Sequence, residues 1–167
     1  MLETALDDPV AILNDYEKNL VAMIREHGWQ TTSVGEYDDD PAFSYTTGFW
    51  WSSQGAEVLV FDFPPDLAHN VFGQMMAELR SGRTFPVMEP VPRILAGEDV
   101  YLFPVRPEAV ATHLLSSRWF YKQHDFPVVQ LVWSDQGRFP WETGFDATLL
   151  NRQPDLSPRG WAAELRG

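Results

Sequence analysis

The chain of 167 residues contains no cysteine, and it has only 12 Lys and Arg residues against 24 Asp and Glu. The absence of cysteine excludes disulfide scaffolds, thiolate nucleophiles, iron–sulfur clusters and Cys-based zinc sites. The formal net charge of −12 makes the average surface repel a phosphate backbone, so we expect no nucleic-acid partner. An acidic surface can instead meet a basic protein, although it more commonly just keeps a protein soluble.

Targeting and membrane segments are also missing from the sequence pattern. The amino terminus lacks the basic stretch and long apolar core of a secretory signal peptide, and no apolar run approaches about 18 residues. We therefore expect a cytoplasmic protein of bacterial type with no membrane association.

Motifs for the common catalytic chemistries are absent as well. The sequence has neither a Gly-x-Ser-x-Gly nucleophile elbow nor a glycine-rich phosphate-binding loop. His113, His124 and Asp135 could converge on a metal ion, but isolated histidines more often lie at helix ends or on the surface. The sequence thus indicates no metal site and no cofactor, and it leans away from an enzyme.

Aromatic residues are what the chain has in excess, at 14% within a hydrophobic content of 44%. A chain of this length buries a substantial core as one domain. Large rings can fill a sheet-based core or line a ligand groove, so the excess alone does not choose between packing and binding.

The order of the predicted elements favours an α+β fold. Apolar spacing and capping residues predict helices over residues 9–27, 64–81, 107–115 and 118–124. Strands are predicted over residues 29–36, 42–51, 57–63, 100–106 and 128–133, with the proline-containing segment 85–95 as an edge strand at best. The pattern is not a regular βαβ alternation, so we expect a single domain over residues 1–150 whose mostly antiparallel or mixed sheet is flanked by three to four helices. Weak periodicity predicts a partly mobile tail over residues 151–167.

Three separated motifs occur in order along the chain. They are Gly28-Trp29 after the first helix, the segment 43–49 (FSYTTGF), and the segment 130–141 (QLVWSDQGRFPW). On these motifs the chain resembles, over roughly residues 12–145, the bacterial family catalogued as domain of unknown function 4262. Two positions depart from the family pattern: Ala56-Glu57 replaces the usual Pro-Glu, and Ser134-Asp135 replaces the usual Pro-Asp. The resemblance implies a fold but no established activity.

Two of these motifs are the candidate walls of a ligand site. Residues 45–47 place hydroxyls on both faces of a strand, and Gly48 permits close approach of a ligand or another backbone. Arg138 can pair with Asp135 or with an anionic ligand, and Glu142 adds a second carboxylate nearby. A packed strand and a structural turn are the more common reasons for such residues. The residues that we assign to the groove are Tyr45, Thr47, Trp50, Trp133, Asp135, Arg138 and Trp141.

The sequence leaves two functional hypotheses of different class. The first is a non-enzymatic cytoplasmic binding or interaction domain with an aromatic-lined groove for a small molecule, one version of which is an acidic partner of a basic protein. The alternative is a small enzyme or flavin-binding protein, because an aromatic-rich sheet with short helices can hold a planar cofactor. No phosphate-binding motif supports this alternative.

Overall fold

The structure is a computed structural model that describes residues 2–167. Its strands are β1 (Gln30–Val34), β2 (Phe43–Thr47), β3 (Glu57–Phe61), β4 (Val91–Leu95), β5 (Glu98–Pro104) and β6 (Val128–Val132). They form one sheet in the order β1-β2-β3-β6-β5-β4, in which β3 and β6 run parallel and the other neighbours run antiparallel. The sheet is therefore mixed, and the predicted α+β class is confirmed.

The α-helices are α1 (Asp15–His27), α2 (Phe49–Ser53), α3 (Pro65–Arg80), α4 (Pro107–His113), α5 (Leu115–Phe120) and α6 (Trp161–Arg166). Short 3-10 helices cover Ala5–Asp7, Val10–Ile12 and Ala147–Arg152. The part of the chain that the structure describes has six α-helices where three to four are expected, because the sequence pattern predicts neither α2 nor α6, which have five and six residues. Two helical turns are too short for a clear apolar periodicity.

Helices cover both faces of the sheet. On one face, α3 packs its buried side chains against Val58 and Val60 of β3 and Leu131 of β6. On the other face, α4 and α5 lie over the alternate residues of the same strands, including Leu59. Every residue of β3 is buried, as a continuous apolar run predicts for a central strand covered on both sides. Among residues 2–167, no helix has the length and apolar character needed to cross a membrane.

The first long helix begins later than the sequence pattern predicts. Residues 10–12 form a 3-10 turn, and α1 starts after Asn14. The Asn14 side chain accepts a hydrogen bond from the Glu17 amide (2.8 Å), and the Glu17 carboxylate accepts one from the Asn14 amide (2.9 Å). This reciprocal capping box fixes the helix start and outweighs the Asp-Pro signal further upstream.

The predicted strand over residues 42–51 is wrong in its second half. Strand β2 ends at Thr47, Gly48 adopts φ +111°, and α2 follows at once. A left-handed glycine breaks the extended conformation and turns the chain back over the end of the sheet. The helix predicted over residues 118–124 likewise differs, since α5 begins at Leu115 and ends at Phe120.

The C-terminal segment 151–167 packs against the domain. Gln153, Leu156, Ser157 and Trp161 are all buried. Leu156 joins the core beneath α4, and Trp161 packs with Phe103 of β5. The segment therefore contributes to the same core as residues 2–150.

Candidate functional site

Glu57 is the first residue of β3, and its side chain is completely buried at the end of the sheet where β2 turns into α2. Its carboxylate accepts five hydrogen bonds. Three come from the consecutive backbone N–H groups of residues 48–50, at 3.1–3.2 Å. The other two come from the hydroxyl of Thr46, at 2.7 Å, and from the phenol of Tyr121. A single carboxylate thus holds the turn into α2 and ties it to α5.

Both neighbouring hydroxyls donate to Glu57 and accept a backbone amide at the same time. The Thr46 hydroxyl already accepts the Val58 amide (2.9 Å), and the Tyr121 hydroxyl accepts the Trp51 amide (3.1 Å). Three amides and two hydroxyls that donate to one carboxyl group favour its ionised form, in which both oxygens accept.

Two opposing effects act on the pKa of Glu57. Burial raises the pKa, and the hydrogen bonds from Tyr121, Thr46 and the α2 amides lower it, with burial the larger effect. Burial and the adjacent Glu57 carboxylate raise the pKa of Tyr121, so Tyr121 keeps its proton and remains a donor.

The first two sequence motifs meet beside this carboxylate. Gly28 and Gly48 both have positive φ values, +89° and +111°. A Cβ atom added to Gly48 would lie 2.5 Å from the Gly28 carbonyl oxygen and 2.8 Å from the Trp29 Cα. Only glycine allows the end of α1 and the start of α2 to approach this closely.

An open groove of about 570 Å³ lies on the outer side of α2. It is bordered by segment 2–7, Arg25, Trp50, Trp51 and Gln54. The Trp51 side chain is 38% exposed, whereas the half-buried Trp50 ring packs edge-on against Tyr121 at 5.4 Å between centroids. The amides of these two tryptophans are the ones held by Glu57 and Tyr121, so the aromatic wall is fixed from behind.

Of the residues assigned to a groove from the sequence, Trp50 lines this one. Tyr45 and Thr47 lie on β2 but are fully buried and face α5. The Tyr45 hydroxyl accepts the Ser116 amide (3.0 Å), and Thr47 shares a hydrogen bond with Ser117 (2.7 Å). Their contacts join the sheet to α5, and neither side chain reaches the surface.

Segment 133–141 forms a packed corner. The Trp133 indole donates to the Phe61 carbonyl (2.9 Å), and Trp141 stacks on Phe139 with 5.1 Å between centroids. Asp135 and Arg138 close a two-residue turn through paired backbone hydrogen bonds of 2.8 and 3.0 Å. Gln136 and Gly137 at the tip have positive φ, which is typical of a tight hairpin turn.

Arg138 does not pair with Asp135, the carboxylate that the sequence suggests as its partner. Its guanidinium donates to the Thr143 carbonyl (2.7 Å), and within residues 2–167 it forms no ion pair with Asp135. The Glu142 carboxylate accepts the Phe139 amide (2.8 Å). All three polar residues of this corner thus support its backbone, either directly or by forming the turn.

The strand register shows that the predicted site residues at the end of β2 and in α2 lie far from those in segment 133–141. Glu57 pairs with Val128 at the start of β6, so Thr47 and Trp50 lie at that end of the sheet. Trp133 follows the opposite end of β6, five residues further along. An extended strand of that length spans about 16 Å. Ligand binding by the assigned residues stays a prediction, but the two sets do not border a common groove.

Gln130 of the third motif links β6 to the C-terminal segment. Its side chain is fully buried, donates to the Pro154 carbonyl (2.7 Å) and accepts the Leu156 amide (3.2 Å). This explains why a polar residue occupies the centre of an apolar strand.

Replacement of Gln130 by Ala is expected to cost about 1–3 kcal/mol, because the amide and carbonyl of the C-terminal segment lose their partners while they stay buried. Hydrogen exchange should show faster exchange within residues 153–167. Gln74→Ala on the exposed face of α3 is the matched control. Equal exchange in both variants would contradict this role of Gln130.

The histidines do not assemble a metal centre. Residues 2–167 contain no group of three His, Asp or Glu side chains placed to bind one metal ion. The His113 Nδ1–H donates to the Ala109 carbonyl of its own helix (2.9 Å), and the ring packs edge-on against Phe43. His69 stacks on Trp29 at 5.0 Å and borders a smaller cleft of about 370 Å³ with His27.

Comparison with known families gives one match. A family model described as Domain of unknown function (DUF4262) matches residues 23–146. The chain belongs to this family. Comparison with curated proteins and with solved structures found no match.

The DUF4262 match covers most of the architecture around the buried carboxylate. It includes the Gly28–Gly48 contact, Glu57 and Tyr121, and it also includes the packed corner at 133–141. Two parts of the structure lie outside the matched region. One is segment 2–7, which completes the groove beside Trp50 and Trp51 (the tryptophan groove), and the other is the C-terminal segment. Part of the groove wall is therefore supplied by residues beyond the DUF4262 match.

Sequence reasoning did not identify Glu57, Tyr121 or Trp51 as site residues. A usable signal was present for Glu57, because an acidic residue that begins an otherwise apolar central strand must be buried beside donors or lie at the strand end in water. No comparable signal marks Tyr121, which comes from a short helix 64 residues further along the chain.

Proposed function

We propose that this DUF4262 protein is a non-enzymatic binding domain whose ligand lies in the groove between segment 2–7, Arg25 and the Trp50–Trp51 pair. The observation that supports this proposal best is the fixed aromatic wall. Because the backbone of both tryptophans is held by buried hydrogen bonds, the wall loses little conformational freedom when a ligand docks.

The groove residues favour a planar apolar ligand that carries an anionic group. The two indoles supply apolar surface, and Arg25 supplies the cation. One guanidinium nitrogen of Arg25 donates to the Leu6 carbonyl (3.0 Å), which positions the group at the rim. The Asp7 carboxylate accepts the Thr4 amide (3.2 Å), so it serves the 3-10 helix cap. The absence of cysteine suits a reducing compartment, and we place the proposed activity in the bacterial cytoplasm.

Anilinonaphthalene sulfonate, an anion with a planar naphthalene ring, is a suitable probe for this groove. We expect Trp51→Ala to weaken its binding about tenfold, because one aromatic wall is lost. Arg25→Gln should weaken binding by a smaller factor, and Arg25→Lys should restore part of the loss. Fluorescence titration measures the affinities, and the indole N–H resonances of Trp50 and Trp51 report the position of the probe.

Leu150→Ala, which removes an equally exposed apolar side chain from another surface, should leave the affinity unchanged. All variants should unfold at nearly the wild-type denaturant concentration, since the altered side chains are exposed or lie at the groove rim. Unchanged affinity in Trp51→Ala, or indole resonances that do not move, would exclude the groove as the ligand site.

A further inference from the structure

The two edges of the sheet differ in how well they are protected against pairing with another strand. The β4 edge carries Pro92, which has no N–H, and Arg93 with φ +67°, and its pairing with β5 is shifted in register. Proline, charge and bulges are the usual devices that prevent edge-to-edge association. The β1 edge, Gln30–Val34, has neither proline nor a charged residue in any of its five positions. Within residues 2–167, no further strand pairs with its outer side.

The backbone groups that β1 turns outward can be assigned from its pairing with β2. The Thr31 amide is bonded to the side chain of its own neighbour Gln30 (3.2 Å), so it points away from β2. In an antiparallel pair the backbone groups alternate between the two sides, and Ser33 therefore also presents its N–H and C=O outward. Thr31 is half-buried and residues 33–40 are all exposed, so the outward groups of Ser33 reach solvent.

An acidic hairpin continues directly from this open edge. Glu36 is paired with Arg152, but Asp38, Asp39 and Asp40 form no ion pair with residues 2–167. Backbone hydrogen bonds between Tyr37 and Asp40 (2.9 and 3.2 Å) hold the turn, and the Tyr37 ring is 80% exposed beside it. The end of the open edge thus combines three free carboxylates with one exposed aromatic ring.

We propose that the β1 edge binds an extended segment of a basic partner protein by strand addition. The Ser33 N–H and C=O and the Thr31 carbonyl would pair with the added strand, and residues 38–40 would contact Lys or Arg side chains at its end. The charge selects a basic protein as the partner over a second copy of this chain, because two copies each carry a net charge of −12. This surface is separate from the tryptophan groove, so either proposal can fail without the other.

A synthetic ten-residue peptide that alternates Lys with Val and Thr is the probe. Its control is the same peptide with every Lys replaced by Glu. Amide resonances of residues 31–35 should shift on addition of the Lys peptide, whereas those of β4 should not. The affinity should fall with added salt, and the Glu peptide should bind at least tenfold more weakly.

Two variants of the protein separate the backbone contribution from the charge contribution. Ser33→Pro removes an outward N–H on an edge strand, where proline is tolerated, and should weaken Lys-peptide binding about tenfold. Ser33→Ala is its control, since both lose the Ser33–Ser44 hydroxyl contact (2.7 Å). The combined change Asp38→Asn, Asp39→Asn and Asp40→Asn, made on exposed side chains, should weaken binding and flatten its salt dependence.

Several results would overturn this proposal. Equal binding of the Lys and Glu peptides, shifts at β4 in place of β1, or unchanged affinity of the triple Asn variant would each do so. A stable dimer of the wild-type protein that Ser33→Pro dissociates would show that the edge serves a second copy. If Ser33→Pro does not fold, the β1 shifts and the triple Asn variant decide the question.

Discussion

Replacement of Glu57 by Gln is expected to destabilise the fold by about 3–5 kcal/mol, because at least two buried donors lose their acceptor at about 1–3 kcal/mol each. A Gln side chain keeps the shape but turns one acceptor into an NH2 group. That group must face either the Thr46 hydroxyl and the Phe49 amide or the Tyr121 phenol and two amides of the α2 turn. The NH2 group would then face backbone N–H donors, and the complete burial of the side chain keeps these groups out of contact with solvent.

Chemical denaturation measures this loss directly. Glu98→Gln, on an exposed residue at the start of β5, removes the same charge and should change the free energy of unfolding by less than about 0.5 kcal/mol. Tyr121→Phe should lie between the two, since it removes one donor and leaves the Trp51 amide without its acceptor. A Glu57→Gln protein as stable as Glu98→Gln would show that the five hydrogen bonds do not hold the turn.

Replacement of Gly48 by Ala is the second large expected effect, about 2–5 kcal/mol. About 1–2 kcal/mol comes from the left-handed backbone conformation and about 1–3 kcal/mol from overpacking. The added methyl group would lie 2.5 Å from the Gly28 carbonyl oxygen, and a backbone atom cannot move aside as a flexible side chain can. Either α1 and α2 separate or the turn changes its conformation.

Gly82→Ala separates these two contributions. Gly82 also has a positive φ, +97°, but a Cβ atom there would have no neighbour within 4 Å. Its loss of stability therefore measures the backbone cost alone, and the difference between the two variants measures the close approach. Thermal or denaturant unfolding suffices for both. Equal losses at the two positions would mean that the Gly28–Gly48 contact relaxes freely.

Much of the fold follows from local patterns in the sequence. The apolar run at 58–61 gives a central strand, and proline confines β4 to an edge. The boundaries that were missed depend on single residues. Asn14 starts α1 through a capping box that the pattern N-x-x-E contains, and the left-handed Gly48 ends β2 in the middle of an aromatic run.

The candidate site follows from the sequence much less well. The sequence shows where the aromatic residues are but does not show which of them remain exposed. Trp50, which borders the groove, and Trp141, which is packed against Phe139, are therefore assigned to the same site. Tyr121 and Glu57 are 64 residues apart, and their contact depends on the sheet and α5 being in place. Such a pair can be found only from coordinates, because nothing local in either segment requires the other.

The position of β6 has a consequence for how the chain assembles. This strand is the last of the six in the sequence, yet it lies in the middle of the sheet between β3 and β5. Until about residue 132 has left the ribosome, the apolar β3 is an open edge, and the β4–β5 hairpin has no neighbour to join. The newly made chain therefore carries an unpaired apolar strand edge from the synthesis of β3 until β6 inserts, and such an edge is prone to aggregation.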